Sequence, residues 1–473
     1  MSKKNISDLA ERYEQALLSK KSIYLDADEF DELIDYYDSM DNLDMAKSVL
    51  DLALSIHPEN QNLILKKAKA IVYEGYYQEA LEYLNIYFNE YDFDLYLLKI
   101  ECYLQLDLTD KASSLTDRVL EDDEVDQDIL YAELGFLYAE ADLFDEAIDF
   151  FNKSLEFDPH NLEVLGDLSF AYESIGKFED AIKVNNKILD MDPYSYETWV
   201  NIGKLHSVEG DYAKAVDAFD FALTINNSDI ALLKLMAHCL SLSDRIEDAI
   251  QKFEECLQIN PQDVSIYLSL AECYITIEKY DEALAYLDKG LDMDPVNIEM
   301  IAKKAIVYIQ QNDFEEAQKV IEHGYSIEKD AFDLWIVSGE LYLQQDDIKN
   351  AEYFFNKALE ADRGNEFLLD KLASIAIQQD EYQKAVDLLI NLLSLNADYP
   401  NAKDRLALVY FELGETDNFL KCLDSFSDEE LYKFLQLFYP ESQIESIRQD
   451  RTTLINRLQE LQDNRILFKN LKY

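Results

Sequence analysis

Glycine and proline are scarce, 11 and 7 among 473 residues, too few to punctuate a many-stranded sheet or to fill long loops. Cations are short as well. Against 97 Asp+Glu stand 42 Lys+Arg, a formal net charge of −55 that repels phosphate backbones and anionic membranes. Nucleic acid and lipid are therefore disfavoured as direct ligands. No stretch approaches the ~18 consecutive apolar residues that a membrane span needs. The opening MSKKNISDLAERYEQALLSKK has neither an apolar core nor a small-residue cleavage site, so a cytoplasmic location is expected. The five cysteines are odd in number and form no CxxC pair; Cys239 and Cys273, 34 residues apart, read as core packing. The five histidines (His57, His160, His206, His238, His323) make no paired ligand motif, so no metal is expected. A P-loop, a dinucleotide-binding glycine motif and a nucleophile-elbow serine are all missing from the sequence, and no cofactor is expected.

What the chain does have is a period. Asp128–Asn161, DILYAELGFLYAEADLFDEAIDFFNKSLEFDPHN, holds two amphipathic helical patterns closed by Asp158-Pro159. At steps of 34 residues, Pro159 is followed by Pro193, Asn227, Pro261, Pro295, Lys329, Arg363 and Ala397. Twelve residues before each stands an alanine: Ala147, Ala181, Ala215, Ala249, Ala283, Ala317, Ala351 and Ala385. Twelve residues earlier again stands a small residue: Gly135, Ser169, Gly203, Ala237, Ala271, Ala305, Gly339 and Ala373. A period of this length means stacked supersecondary units, none of which can bury its apolar face alone. It argues for one elongated array over several compact domains.

The unit 196–229 shows why the spacing gives a helical hairpin. Trp199, Ile202, Gly203 and His206 fall on one face of a first helix, and Ala215, Phe219 and Ala222 on one stripe of a second. Gly203 admits the second helix closely, and Ala215 keeps the crossing tight. His206 reads as a satisfied core histidine. Proline after the second helix stops it, since it lacks the helical N–H donor.

Tyr131-x2-Leu134-Gly135-x2-Tyr138, then Ala147-x3-Phe151 and Pro159, resembles the tetratricopeptide repeat. Trp199-x2-Ile202-Gly203 with Ala215-x3-Phe219, and Trp335-x3-Gly339-x2-Tyr342 with Ala351-x3-Phe355, follow the same pattern with small departures. The run Pro193-Tyr194-Ser195 through Trp199-Val200-Asn201-Ile202-Gly203 is similar to long multi-repeat proteins of this family in Bacteroidetes. The resemblance implies an all-α, right-handed α-solenoid of about twelve helix-turn-helix repeats, whose first helices line a concave groove for peptides or partner domains. It implies no catalysis.

The expected organisation is an N-terminal capping helix over residues 1–26, the repeat array over 27–433, and C-terminal capping helices over 434–473. Ile6, Leu9, Ala10, Tyr13, Ala16 and Leu17 share a face in the first segment, with Ser7 as its expected cap. The third repeat is irregular: Ala80 to Ala112 spans 32 residues and Ala112 to Ala147 spans 35, with the acidic run Glu121–Asp128 as a solvated connection. Ser427 and Glu430 form a capping-box pattern. Residues 441–473 carry six basic side chains (Arg448, Arg451, Arg457, Arg465, Lys469, Lys472) against five acidic ones. There Ile444, Ile447, Leu454, Leu458 and Leu461 trace a short seam, either a cap on the last repeat or a dimerising helix.

The expected function is a non-catalytic interaction scaffold binding other proteins or peptides, basic segments among them, with the oligomeric state open. Its alternatives are a regulatory or assembly subunit dimerising through its C-terminal helix, and an enzyme hidden in the helical array. The candidate groove residues are Phe136, Phe170, Lys204, Lys234, His238, Ile275, Ile309, Leu343, Ile377 and Phe411. Lys204, Lys234 and His238 form a basic trio, which would take an acidic segment or balance nearby carboxylates. Ile275, Ile309, Leu343, Ile377 and Phe411, one per repeat, form either an apolar track for a partner or simple lining between neighbouring helices.

Overall fold

A computed structural model describes residues 3–19, 23–87, 92–121, 125–445 and 450–463. Among these residues the regular structure is helical, and no β-strand occurs. Twelve helical hairpins follow one another, from Ala27–Asp38 with Leu43–Ile56 to Ala402–Leu413 with Thr416–Asp424. The fold is the all-α solenoid expected from the period. Two compact units, Met1–Leu232 and Leu233–Tyr473, divide it inside helix Ile230–Leu242. The unbroken period gives no sign of this division, because each repeat's pattern is set only by its neighbours.

Local chemistry starts and turns each hairpin. Asn60, Asn161, Ser195, Asp263, Asn297 and Asn365 cap first helices with side-chain oxygens that accept backbone N–H groups of the first turn. Between first and second helix, every hairpin places one residue in the left-handed region: Asp41, Gly75, Asp107, Asp142, Gly176, Gly210, Asp244, Glu278, Asn312, Asp346, Asp380 and Gly414. Asp, Asn and Gly tolerate that conformation; Glu278 is the exception, held there against its own preference.

The hairpins close through a size match that recurs in both units. Where the small residue is glycine, its partner on the second helix is phenylalanine: Gly135 with Phe151, Gly203 with Phe219, Gly339 with Phe355. A Cβ at Gly135 or Gly339 would stand 2.5 Å from a ring carbon, so no larger residue fits. Where it is alanine, the equivalent partner is usually aliphatic, as Ala271 with Leu287 and Ala373 with Leu389, all fully buried. Ser169 takes a polar partner instead: Asn185 Nδ2 donates to its Oγ at 2.6 Å and to the Ala181 carbonyl at 3.1 Å. That pair satisfies groups that would otherwise be costly at this depth.

The first and last described helices each pack onto the nearest hairpin. In the first unit, helix Lys3–Leu18 buries Leu9, Ala10 and Tyr13 in one cluster with Phe30, Leu33 and Tyr37. The Tyr37 hydroxyl donates to Glu14 at 3.1 Å. The helix begins at Lys3, so Ser7 lies within it and is not its cap. In the second unit, Ser427 and Glu430 form their capping box at the start of Asp428–Gln436. Helix Arg451–Asp463 then returns to the last hairpin, with Ile444, Leu454 and Leu458 buried beside Phe419 and Phe434. Three of the five seam residues are thus buried inside the chain. Arg451 donates to the carbonyls of Phe426 at 2.7 Å and Asp424 at 3.0 Å, and pairs with Asp428 at 3.0 Å. It places a cation at the carbonyl end of Thr416–Asp424, where the helix dipole favours one. Ile447, Arg448, Arg465, Lys469, Lys472, the side chain of Leu461 and part of the Glu121–Asp128 run lie outside the described residues.

Candidate functional site

Within each unit the first helices of successive hairpins present a face whose exposed residues recur once per repeat. On it runs a series of ionic rungs. An acid one place after the small residue, or after Ile34 in the first hairpin, meets a lysine 31 residues later, which is one repeat less about one helical turn. Asp35 pairs this way with Lys66, Glu272 with Lys303 at 2.6 Å, and Glu340 with Lys371 at 2.7 Å. Lys66 also reaches Asp31 at 3.0 Å. In the last step the place after the small residue is Ser374, whose Oγ accepts from Arg405 at 3.1 Å, and Arg405 finds its acid instead at Asp370, 35 residues away. The sequence reading missed these rungs. The signal that would have found them is opposite charge at a spacing of 31, not at the repeat length itself.

The proposed basic trio is divided between the two units. Lys204, exposed, belongs to the first; Lys234 and His238 belong to the second. Lys234 is already engaged, bound to Asp263 at 3.0 Å and to Ser265 Oγ at 2.7 Å. Burial opposes ionisation of Asp263, but the bonds from Ser265 and Lys234 hold its carboxyl below the usual range. His238 sits edge-on to Phe253 at 5.0 Å. Its pKa is lowered by burial, with Lys234 adding to the drop and Glu272 opposing it. Lys234 therefore balances carboxylates of its own unit.

The apolar column is mostly structure. Ile309 and Phe411 are buried in the clusters around them, while Ile275, Leu343 and Ile377 are half-buried against theirs. Phe136 and Phe170 differ. They stand at the rung position in neighbouring hairpins of the first unit and are 46% and 59% exposed. The Phe170 ring meets Phe144 edge-on at 6.1 Å, which fixes its orientation.

Around these rings the acids lack rungs. The residue 31 beyond Phe136 is Asp167, an acid where other steps have a lysine. Its pKa is raised by burial and by Glu163. One hairpin earlier, the pKa of Glu101 is raised by burial and by Glu140, with Lys69 as a partial offset. Among the described residues none of Glu101, Glu140, Glu163 and Asp167 forms an ion pair.

Reactive chemistry is not gathered in one place. Among the described residues no three metal-binding side chains converge, and no helix is long and apolar enough to cross a membrane. His57 Nε2 lies 2.9 Å from the Leu25 carbonyl. His206 is half-buried, its Nδ1 3.6 Å from Glu209 and without a hydrogen bond, so it is not the satisfied histidine expected. Cys102, Cys239, Cys256 and Cys273 are buried. Cys422 lines an open cavity of about 330 Å³ with Lys403, Lys421 and Tyr410. It replaces the ring that Phe150, Tyr286 and Phe354 supply in other hairpins, which leaves the space. Burial, with Asp404 adding to it, pushes its thiol up to about 11, leaving too little thiolate for a nucleophile.

Two family models, both described as tetratricopeptide repeat, match the chain. One matches residues 138–196, 242–307 and 277–335, the other 196–229 and 332–365. No curated protein matches in sequence. Among solved structures, MamA is similar at 26% identity over 36% of this chain and 92% of its own, with a TM-score of 0.34. A tetratricopeptide repeat protein from Parabacteroides merdae is similar at 14% identity over 55% of this chain and 99% of its own, with a TM-score of 0.38. The Cut9–Hcn1 hetero-tetramer matches at 14% identity over 81% of this chain and 90% of that one, with a TM-score of 0.39.

Proposed function

The chain is a multi-repeat tetratricopeptide protein, and from that premise we propose that it is a non-catalytic scaffold holding segments of other proteins in the groove of its first helices. The observation that carries the reading is the allocation of residues. Twelve hairpins and their terminal helices account for the described chain, and the face that recurs along them is exposed and chemically varied. We take residues 27–433 as the working array, with 1–26 and 434–473 as caps. Partners rich in Lys and Arg are favoured, because a charge of −55 attracts them over a Debye length of about 8 Å at physiological salt. The cytoplasm is the proposed location, on the sequence argument above.

Affinity purification of the tagged full chain from its host, followed by mass spectrometry, tests the scaffold reading. Recovery of specific protein partners whose binding falls with first-helix substitutions such as Leu343→Asp supports it. Turnover that survives repurification and disappears with one point substitution would sink it.

A further inference from the structure

We propose that the first-helix face of hairpins Phe93–Val119, Gln127–Phe157 and Leu162–Met191 binds a cationic protein segment carrying two large apolar side chains three residues apart, with Lys or Arg between and beside them. The inference rests on the scaffold reading and gives it a place and a partner chemistry.

Three observations converge on this face. First, Phe136 and Phe170 are exposed and adjacent in the stack, and the edge contact from Phe144 presents the second ring ready-made. Second, Glu101, Glu140, Glu163 and Asp167 around them form no ion pair among the described residues, whereas on other first helices Asp35, Glu272, Glu340 and Asp370 are paired with Lys66, Lys303, Lys371 and Arg405. Third, these acids crowd one another: Glu140 acts on Glu101 and Glu163 on Asp167, each adding to the effect of burial. Cations brought among them would relieve that crowding.

The spacing of the anchors follows from helix packing. Neighbouring helices pack with axes roughly 8–10 Å apart. An extended chain advances about 3.3 Å per residue, so two anchors that meet both rings are about three residues apart. Basic side chains between them reach the flanking carboxylates, and their stems cover the ring edges. Lys or Arg over an exposed ring adds a cation–π contribution. The occupant is not a second copy of this chain, since two surfaces of −55 repel. Nucleic acid and anionic lipid are rejected by the same sign.

The test is a titration of the full chain against a fluorescent, end-blocked twelve-residue peptide with Leu and Phe three apart among Lys and Arg. Controls are the same peptide with Glu for its cations, and one with Ser for its apolar residues. The wild-type chain should bind the first and reject both controls. Phe136→Ala with Phe170→Ala should weaken binding about tenfold or more, with circular dichroism unchanged because both rings are exposed. Glu140→Gln with Asp167→Asn, which leaves the rings in place, should flatten the dependence of binding on salt. Absence of binding by the wild-type chain overturns the inference, as does the Phe136→Ala, Phe170→Ala chain binding like wild type. If the peptide is lost from Leu343→Asp instead, the scaffold reading stands and this site falls. If host partners are also absent in the purification above, both fall.

Discussion

The first-helix faces of Phe93–Met191 in the first unit and Val264–Leu413 in the second share one scaffold but settle their charge in opposite ways. In the second, Glu272, Glu340 and Asp370 each meet a cation from the following hairpin, and the apolar column beside them is wholly or half buried. In the first, the rung positions hold Phe136 and Phe170, and the acids are left to repel one another. The backbone does not explain the contrast, since both are helical hairpins turned through one left-handed residue. A few side chains at one register decide whether a face is closed upon itself or open to a partner.

The comparison breaks most sharply if a rung is built where none exists. Phe136→Glu with Asp167→Lys, 31 residues apart, copies the Glu340–Lys371 pair into the first unit. Binding of the cationic peptide should fall about a hundredfold, read by anisotropy, with helix content retained. Next in size is a change to the shared framework, which should cost the same in either unit. Gly203→Ala or Gly339→Ala drives a methyl group into Phe219 or Phe355 and should destabilise by about 1–3 kcal/mol. Phe219→Leu or Phe355→Leu in the same chain should restore most of it. Trp199 and Trp335 supply one fluorescent reporter in each unit, so urea titrations of single-tryptophan variants check this directly.

Smaller effects sharpen the contrast in charge. Lys371→Met strands Glu340 and should lower the Trp335 transition by about 0.5–1 kcal/mol, and adding Glu340→Gln should return part of it. Asp167→Asn should do the reverse in the first unit, stabilising it by about 0.5 kcal/mol. The folded-state pKa of Asp167 is raised, so its charge opposes folding above that pKa and ceases to as the proton returns. The advantage of Asn should therefore be full near neutral pH and vanish as pH falls through the carboxylate range. A gain that persists in acid would mean that packing, not charge, is responsible.

Most of the fold was legible because it is written in size and period. Gly135, Gly203 and Gly339 with their phenylalanines, and the alanine column from Ala147 to Ala385, are local requirements that repeat in phase. The groove was less legible. The residues Ile309 and Phe411 share a register with Ile275, Leu343 and Ile377, yet their exposure depends on what the neighbouring helices leave uncovered. The function of Lys234 was hidden for a similar reason: its partners Asp263 and Ser265 come from the next hairpin, at no simple multiple of the repeat. The division at Leu232 left no trace in the period at all.

The rung spacing has a consequence for how such a chain can be cut and rejoined. Glu272–Lys303 joins hairpins Val264–Met293 and Ile298–Ile327; Glu340–Lys371 joins Phe332–Ala361 and Glu366–Leu395. A break between Ile327 and Phe332 severs neither, whereas a break one hairpin earlier or later orphans half a pair. A cut after Leu395, by contrast, parts Asp370 from Arg405, so the boundary at 328–331 is gentler to this face than its neighbours. Recombination at that boundary would leave both rungs intact, and an engineer lengthening this array should open it there.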